Sequence, residues 1–454
     1  MTQQAARPLS IFTILALGQF AFPLAVAYLP LNLYLTRYYG GDLKMDIATV
    51  GLVLMIARLA DFAVDPIIGA LSDRYGHKYG RRRFWTLVSI PITLLGVVLT
   101  FMPPQGAGPV YLLLSVSIVY FGWTMATIAY GAWGAEASPD YAERTRITGI
   151  RQIFALVGIL IASLAPIFTG GGPGSPNGFA PLMTGLGWMV VVITPLSAAL
   201  LIWVVPEPKA VASGMVSWTR GIAIAVRNGP FMRLLVSIFI GRIGAAANLA
   251  VVIWFFEKGL DLGEAAGLPL LAYLVAAALG APLWIWAGHK TSKHDALIIA
   301  VIIGAIVFAG LFFMPPGHLW ATIVVMIAVG LTGSAAATLG DSIAADVVDL
   351  DALRSREARA GLLLAFWGIA QKGADAVGVG LGLWILWLFD FNPNGANDET
   401  ALLGLKLAYI AIPIVFGLTS AAFLWNFPLT PARQRRIRAL LERRAVSLRR
   451  HGGA

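Results

Sequence analysis

Twelve mainly apolar runs, each long enough to cross a hydrocarbon layer, alternate with short polar joints along this chain. A spanning helix needs about twenty such residues, because every backbone polar group must be satisfied inside the segment. The runs lie near 10–36, 46–72, 84–103, 109–136, 147–169, 181–205, 231–256, 266–288, 296–315, 318–345, 360–390 and 401–427. Only 12% of residues are charged and 58% are hydrophobic, against about a quarter charged in a soluble domain. A surface that apolar is tolerated only by lipid. The pattern predicts an all-α integral membrane protein.

The polar joints carry a sign. Joints 73–83, 138–146, 206–230, 289–295 and 349–359 hold fifteen of the 33 lysines and arginines, and the tail adds eight arginines from Arg433 to Arg450. The alternate joints hold Arg37, Lys44 and Lys258, with uncharged stretches at 103–108 and 170–180. The positive-inside rule then places both termini in the cytoplasm, which requires an even number of spans. Arg7 precedes the first run and no small-residue cleavage site follows it, so that run is read as a span. The chain divides into a six-helix bundle at 1–205, a cytoplasmic middle loop at 206–230, a second six-helix bundle at 231–427 and a basic tail at 428–454. The middle loop carries an amphipathic piece, Trp218 to Arg227, expected on the membrane surface. Gly76-His77-Lys78 and Gly288-His289-Lys290 occupy equivalent joints of the two halves, a faint internal echo.

The net charge of +10 does not indicate nucleic acid, because the basic residues are distributed between apolar runs. No cysteine is present, so disulfides and thiolate metal sites are excluded. The five histidines show no zinc-ligand spacing. No nucleophile elbow, zinc-protease motif or phosphate-binding loop is present, which argues against a membrane-embedded enzyme or an ATP-driven pump. A sensor built on a transporter scaffold is a further alternative. No cofactor is expected.

Intramembrane charges carry the chemistry. Asp61 and Asp65 stand four apart on the second run, sharing a helix face with Cβ atoms about 5–6 Å apart. Arg58 lies one turn earlier. Two carboxylates in low dielectric do not both stay ionised unless a cation sits with them or one takes a proton. The alternative is structural: an Arg58–Asp61 staple, with Asp65 capping a kink at Pro66.

Gly69-Ala-Leu-Ser-Asp73-Arg74-Tyr-Gly76-His-Lys78 resembles the loop signature of the major facilitator superfamily. Gly69 is expected to permit close helix packing, and Asp73 and Arg74 to lock a gate. Further segments are Tyr130-Gly-Ala-Trp-Gly-Ala-Glu136, Glu143-Arg144-Thr145-Arg146, Asp341 through Asp351, and Phe366-Trp367 with Gln371-Lys372-Gly373. With Arg58-Leu-Ala-Asp61 and Asp65-Pro66 they resemble the glycoside–pentoside–hexuronide cation symporter family. The resemblance implies the twelve-helix major facilitator fold and symport of a sugar-type solute with H+ or Na+ by alternating access. By position it implies cation binding at Asp61 and Asp65, coupling through Lys372 and Arg58, and gating by Arg144, Asp346 and Arg359. Lys372 is alternatively a structural ion pair.

Departures from the family pattern bear on ion and cargo. Sodium-using members usually place a polar residue where Val64 stands, so an oxygen ligand is missing. Sugar-binding members carry acids on helices one and four. Helix one here offers Gln19 and Tyr28, and helix four offers Trp123, Thr127 and Tyr130. Such a pocket stacks a ring or an apolar surface. An amphipathic or lipid-like cargo is therefore the alternative substrate. Trp123 is read equally as lipid-facing. Asp375 stands near Lys372 as a missing acceptor or a neutralising partner, and Arg242, Trp367 and Gln371 complete the candidate substrate residues. The expected setting is the inner or plasma membrane, with the protein acting as a monomer on a small molecule.

Overall fold

The computed structural model describes residues 9–75, 80–138, 140–208, 226–355 and 360–451. Eleven helices among them are long and apolar enough to cross a membrane. They are α1 (Ile11–Asp42), α2 (Ile47–Arg74), α3 (Arg81–Phe101), α4 (Pro109–Glu136), α5 (Tyr141–Thr169), α6 (Ala180–Val204), α7 (Gly229–Gly259), α8 (Gly263–Lys290), α9 (Lys293–Phe313), α10 (Leu319–Ser355) and α12 (Glu399–Leu424). A further helix, α11 (Ala360–Leu388), has 29 residues and carries Gln371, Lys372 and Asp375 along its length. A final helix, α13 (Pro431–His451), carries the basic tail.

Local chemistry sets many of the helix starts. Asp46, Asp140, Asn228, Ser292 and Asp398 each accept a bond from a backbone N–H in the first turn, at α2, α5, α7, α9 and α12 respectively. Those donors have no intrahelical partner, so the caps stabilise the helix by about 1 kcal/mol each. Inside the spans, α1 widens into π turns at Pro30–Tyr34 and Tyr38–Asp42, and α7 does so at Phe255–Gly259. Proline removes one ladder bond and displaces the next turn, which accounts for the first widening.

The helices form two bundles of six, and α2 packs against α11 across the interface between them. Close packing within a bundle uses small residues: Gly96 of α3 lies against Val119, and Gly122 of α4 against Thr93. Gly69, expected to do the same, has no described neighbour within 4 Å of a Cβ placed there. Opposite the basic joints the bundles are sealed. Gly51 and Met55 of α2 lie against Leu383 and Gly380 of α11. Tyr34, Tyr39, Trp254, Phe255, Phe256, Leu386 and Tyr409 belong to one buried cluster drawn from both halves. Tyr409 stacks on Phe255 with ring centroids 4.0 Å apart. Toward the basic joints, neither Gly69 of α2 nor Gly368 of α11 has a described neighbour within 4 Å of a Cβ placed there.

α10 continues to Ser355, so Asp346, Asp349 and Asp351 sit on a helix that outruns the apolar segment expected to end near 345. The amphipathic piece at 218–227 and the first Gly-His-Lys echo fall almost entirely outside the described residues.

Candidate functional site

Midway along the interface, α2 and α11 are tied by one ammonium. Lys372 Nζ donates to Asp61 Oδ2 at 2.9 Å, Asp65 Oδ1 at 2.7 Å and Thr124 Oγ1 at 3.2 Å. Thr124 Oγ1 in turn donates to Asp61 Oδ1 at 2.7 Å. A lysine has three N–H donors, and here each has an oxygen. Pro66 follows Asp65 inside the helix and loosens the backbone beside the pair. The side chains are 30%, 11% and 22% exposed for Lys372, Asp61 and Asp65. Removing one member of a pair this buried leaves an uncompensated charge, at a cost of about 3–5 kcal/mol. Three oxygens, one each from Asp61, Asp65 and Thr124, ring the ammonium.

A cavity of about 300 Å³ opens beside this cluster, lined by Asp61 and Lys372 together with Tyr28, Leu31, Asn32, Arg58, Tyr120, Trp123, Arg242, Gly368, Gln371 and Asp375. Tyr28 and Trp123 stack at 5.9 Å and form an aromatic wall. Trp123 therefore belongs to the pocket. Arg58 does not staple Asp61. It donates to Asn32 Oδ1 at 2.7 Å and lies 5.7 Å from the Tyr120 ring centroid. Asp375 does not neutralise Lys372. Both its oxygens accept from Arg242, Nε at 3.0 Å and Nη2 at 2.5 Å. A fork-to-carboxylate pair of this kind fixes orientation as well as charge.

Four candidate substrate residues stand elsewhere. Gln19 is held by α6, donating to the Ser197 carbonyl at 2.8 Å and accepting from the Ser197 hydroxyl. Thr127 donates to the Thr124 carbonyl of its own helix at 3.1 Å. Tyr130 is buried, donates to the Leu17 carbonyl at 2.9 Å and lies under Arg151. Trp367 donates to Asp341 at 3.1 Å in the second bundle's core. Thr124, Asn32 and Tyr120 are site residues that sequence reasoning missed. A threonine on an apolar helix was a signal, but two stand three apart and nothing in the sequence says which one faces α2.

The gating candidates are scattered. Asp346 accepts from Lys293 at 2.5 Å and from Arg438 of α13 at 3.1 Å, and Gln434 donates to Asp349 at 3.0 Å. Arg144 is exposed in the first turn of α5. The side chains of Asp73 and Arg74, and all of Arg359, lie outside the described residues. Glu136 binds Arg81 at 3.1 Å and Arg82 at 2.5 Å, closing the base of the first bundle.

At the sealed end a second network joins the bundles. Arg37 donates to Asp42 at 2.9 Å and to Glu257 at 2.7 Å, and Glu257 also accepts from the Gly174 N–H at 3.0 Å. Thr36 donates to the Ala250 carbonyl at 2.9 Å. Glu257 was not among the sequence candidates, since an acid at a helix end reads as an ordinary loop charge.

Residues 16–431 match a family described as MFS/sugar transport protein. The isoprimeverose transporter of Lactiplantibacillus pentosus is 23% identical over 86% of this chain and 83% of its own length. The sodium-dependent lysophosphatidylcholine symporter 1-A of Danio rerio is 22% identical over 95% of this chain and 88% of its own. Among solved structures, a bacterial homologue of the human lysosomal transporter Spinster, in an inward-facing and unoccupied conformation, superposes with a TM-score of 0.67. It is 17% identical and covers 92% of this chain and 97% of that one.

Proposed function

The chain belongs to the MFS/sugar transport protein family, and from that premise we propose that it couples the movement of a sugar or glycoside to that of a cation. It is a multi-pass membrane transporter of major facilitator fold and not an enzyme. The observation that carries the reading is the Lys372 ammonium bound to Asp61 and Asp65 from the opposite bundle. A cation or proton that takes those carboxylates releases Lys372 and frees α11 from α2. Bundle movement then depends on ion occupancy. Thr124 offers the oxygen that Val64 lacks, so sodium and proton both have a donor set here.

With the basic joints assigned to the cytoplasm, both termini are cytoplasmic, the membrane is the inner or plasma membrane and the cavity faces inward. The bundles run 1–205 and 231–427, joined by the 206–230 loop and followed by the 428–454 tail. The transporting unit is one chain. Gating draws on Asp346 with its basic partners, and on Asp73, Arg74, Arg144 and Arg359.

Proteoliposomes under an imposed pH or sodium gradient, tested with a glycoside panel, decide the matter. Asp61→Asn and Asp65→Asn lose gradient-driven accumulation and retain counterflow. Unchanged accumulation in both variants overturns the coupling assignment.

An amphipathic cargo is the second reading, favoured by one observation. An apolar groove of about 310 Å³, lined by Ala57, Ala60, Val64, Ile118 and Phe121, reaches Asp61 from between α2 and α4. Uptake of a lysolipid but of no glycoside in the same assay selects it.

A further inference from the structure

A separate cavity of about 320 Å³ lies on the side of the basic joints. Its walls are the α8–α9 joint, the end of α10, the joint after α12 and the tail helix α13, all from the second half of the chain. The segments that build it, 288–295, 342–349 and 427–438, hold six lysines and arginines against three aspartates, net +3 with the histidines neutral.

Each of the three acids is already bonded within the protein. Asp346 is held by Lys293 and Arg438, and Asp349 by Gln434 and Arg438. Asp295 accepts from the Ser292 hydroxyl in the first turn of α9. Arg435 is left over. It lines the cavity, is exposed, and has no bonding partner among the described residues. Gln434 and Ile437, 7% and 4% exposed, turn the neighbouring face of α13 into the bundle and fix its rotation. Beneath the charges, Ile343, Phe427 and Leu429 supply an apolar floor.

Two tryptophans set the depth of the cavity. Trp286 near the end of α8 is 59% exposed, and Trp425 at the end of α12 is 70% exposed. They stand three and two positions before the wall residues His289 and Phe427. The Lys290 ammonium lies 5.8 Å over the Trp286 ring. Indole rings exposed at the ends of spans sit at the level of the lipid headgroups, and long basic side chains reach the same level.

We propose that this cavity binds the headgroup of an anionic phospholipid, with Arg435 as its principal contact and Lys293 and Arg438 adding to the field. Guanidinium donors suit phosphate oxygens, and basic pockets beside spans on the cytoplasmic side hold such headgroups. The surplus positive charge disfavours a zwitterionic lipid, whose own ammonium would enter the same field. The lipid glycerol lies against Phe427 and Leu429. Because the walls belong to one half of the chain, the site persists while the bundles rock, and it does not depend on the symport reading.

The test is native mass spectrometry of the purified full chain in a neutral detergent, with phosphatidylglycerol and phosphatidylcholine of matched acyl chains. The wild type is expected to favour phosphatidylglycerol by roughly tenfold or more, the scale of one hydrogen bond to a charged group. Arg435→Gln removes most of that preference, and Arg435→Lys keeps part of it. Arg436→Gln makes the same change of charge at an exposed position that does not line the cavity, and leaves the preference intact. Thermal unfolding without lipid is expected to match the wild type for Arg435→Gln, since no bond within the protein is lost. Equal wild-type binding of the two lipids overturns the proposal. So does any loss shared equally by Arg435→Gln and Arg436→Gln, which indicates diffuse attraction to the basic tail. Inorganic phosphate that displaces phosphatidylglycerol at equal concentration also overturns it, and assigns the cavity to a soluble anion.

Discussion

Arg37 of α1 donates to Glu257 of α7 across 2.7 Å, and the same guanidinium holds Asp42 at 2.9 Å. Both residues stand at or beside π turns, in the first helix of each bundle. Glu257 also receives the Gly174 N–H, and Asp42 receives the Phe179 N–H. The loop between α5 and α6 is thereby drawn into the clasp. Side-chain exposure is 14% for Arg37 and 6% for Glu257, so water does little to screen the pair. Alternating access requires this contact to break, which makes it a latch on the side opposite the basic joints.

Glu257→Gln is expected to shift the population toward the state open on that side. The chain has no cysteine, so Leu31→Cys, which lines the cavity, provides a unique label. An impermeant maleimide added from the latched side reacts faster in the Glu257→Gln background. The gain is tenfold for each ~1.4 kcal/mol of lost pairing. An unchanged labelling rate removes the latch.

Lys372→Ala strands two neighbouring carboxylates and is expected to cost about 3–5 kcal/mol of stability. Adding Asp65→Asn to it removes half the stranded charge and restores part of that loss. Thermal unfolding of the two single variants and the double variant closes the cycle. Additive losses rule out the pairing as the source.

Thr124→Val keeps the side-chain shape and deletes one donor to Asp61 and one acceptor for Lys372. Leaving buried polar groups short of a partner costs about 1–3 kcal/mol. The ion concentration for half-maximal transport is expected to rise about tenfold or more. Thr127→Val, whose hydroxyl bonds only its own helix among the described contacts, is the control and leaves that value unchanged.

Asp346 is 5% exposed and bound by two cations of different burial. Lys293 is 26% exposed and Arg438 is 57% exposed. Solvent screens the second far more, so Arg438→Gln costs about 0.2–1 kcal/mol and the loss shrinks in high salt. Lys293→Met costs more and responds less to salt. Thermal unfolding at two ionic strengths reads both.

The sequence by itself determined the solvent, the spans and the type of chemistry. Twenty apolar residues in a row leave the backbone no option but a helix, and the alternation of basic joints orders those helices across the membrane. Intramembrane Asp61, Asp65 and Lys372 announced themselves because an ionised group in lipid is too costly to keep without a partner. Direct contact between Lys372 and both acids follows from the packing of α2 on α11, more than three hundred positions apart in the chain. The same packing decided what spacing along one helix does not encode. The rotation of α4 brings Thr124 to Asp61, where Thr127 was an equal candidate. The packing of α1 against α6 gives Gln19 to Ser197 and leaves Asn32 to Arg58. Asp375 faces Arg242 because α7 lies against α11. Helical periodicity fixes which residues share a face. Which face meets which neighbour depends on the summed shape of every side chain at the interface, and the charge pattern of the cavity is settled there.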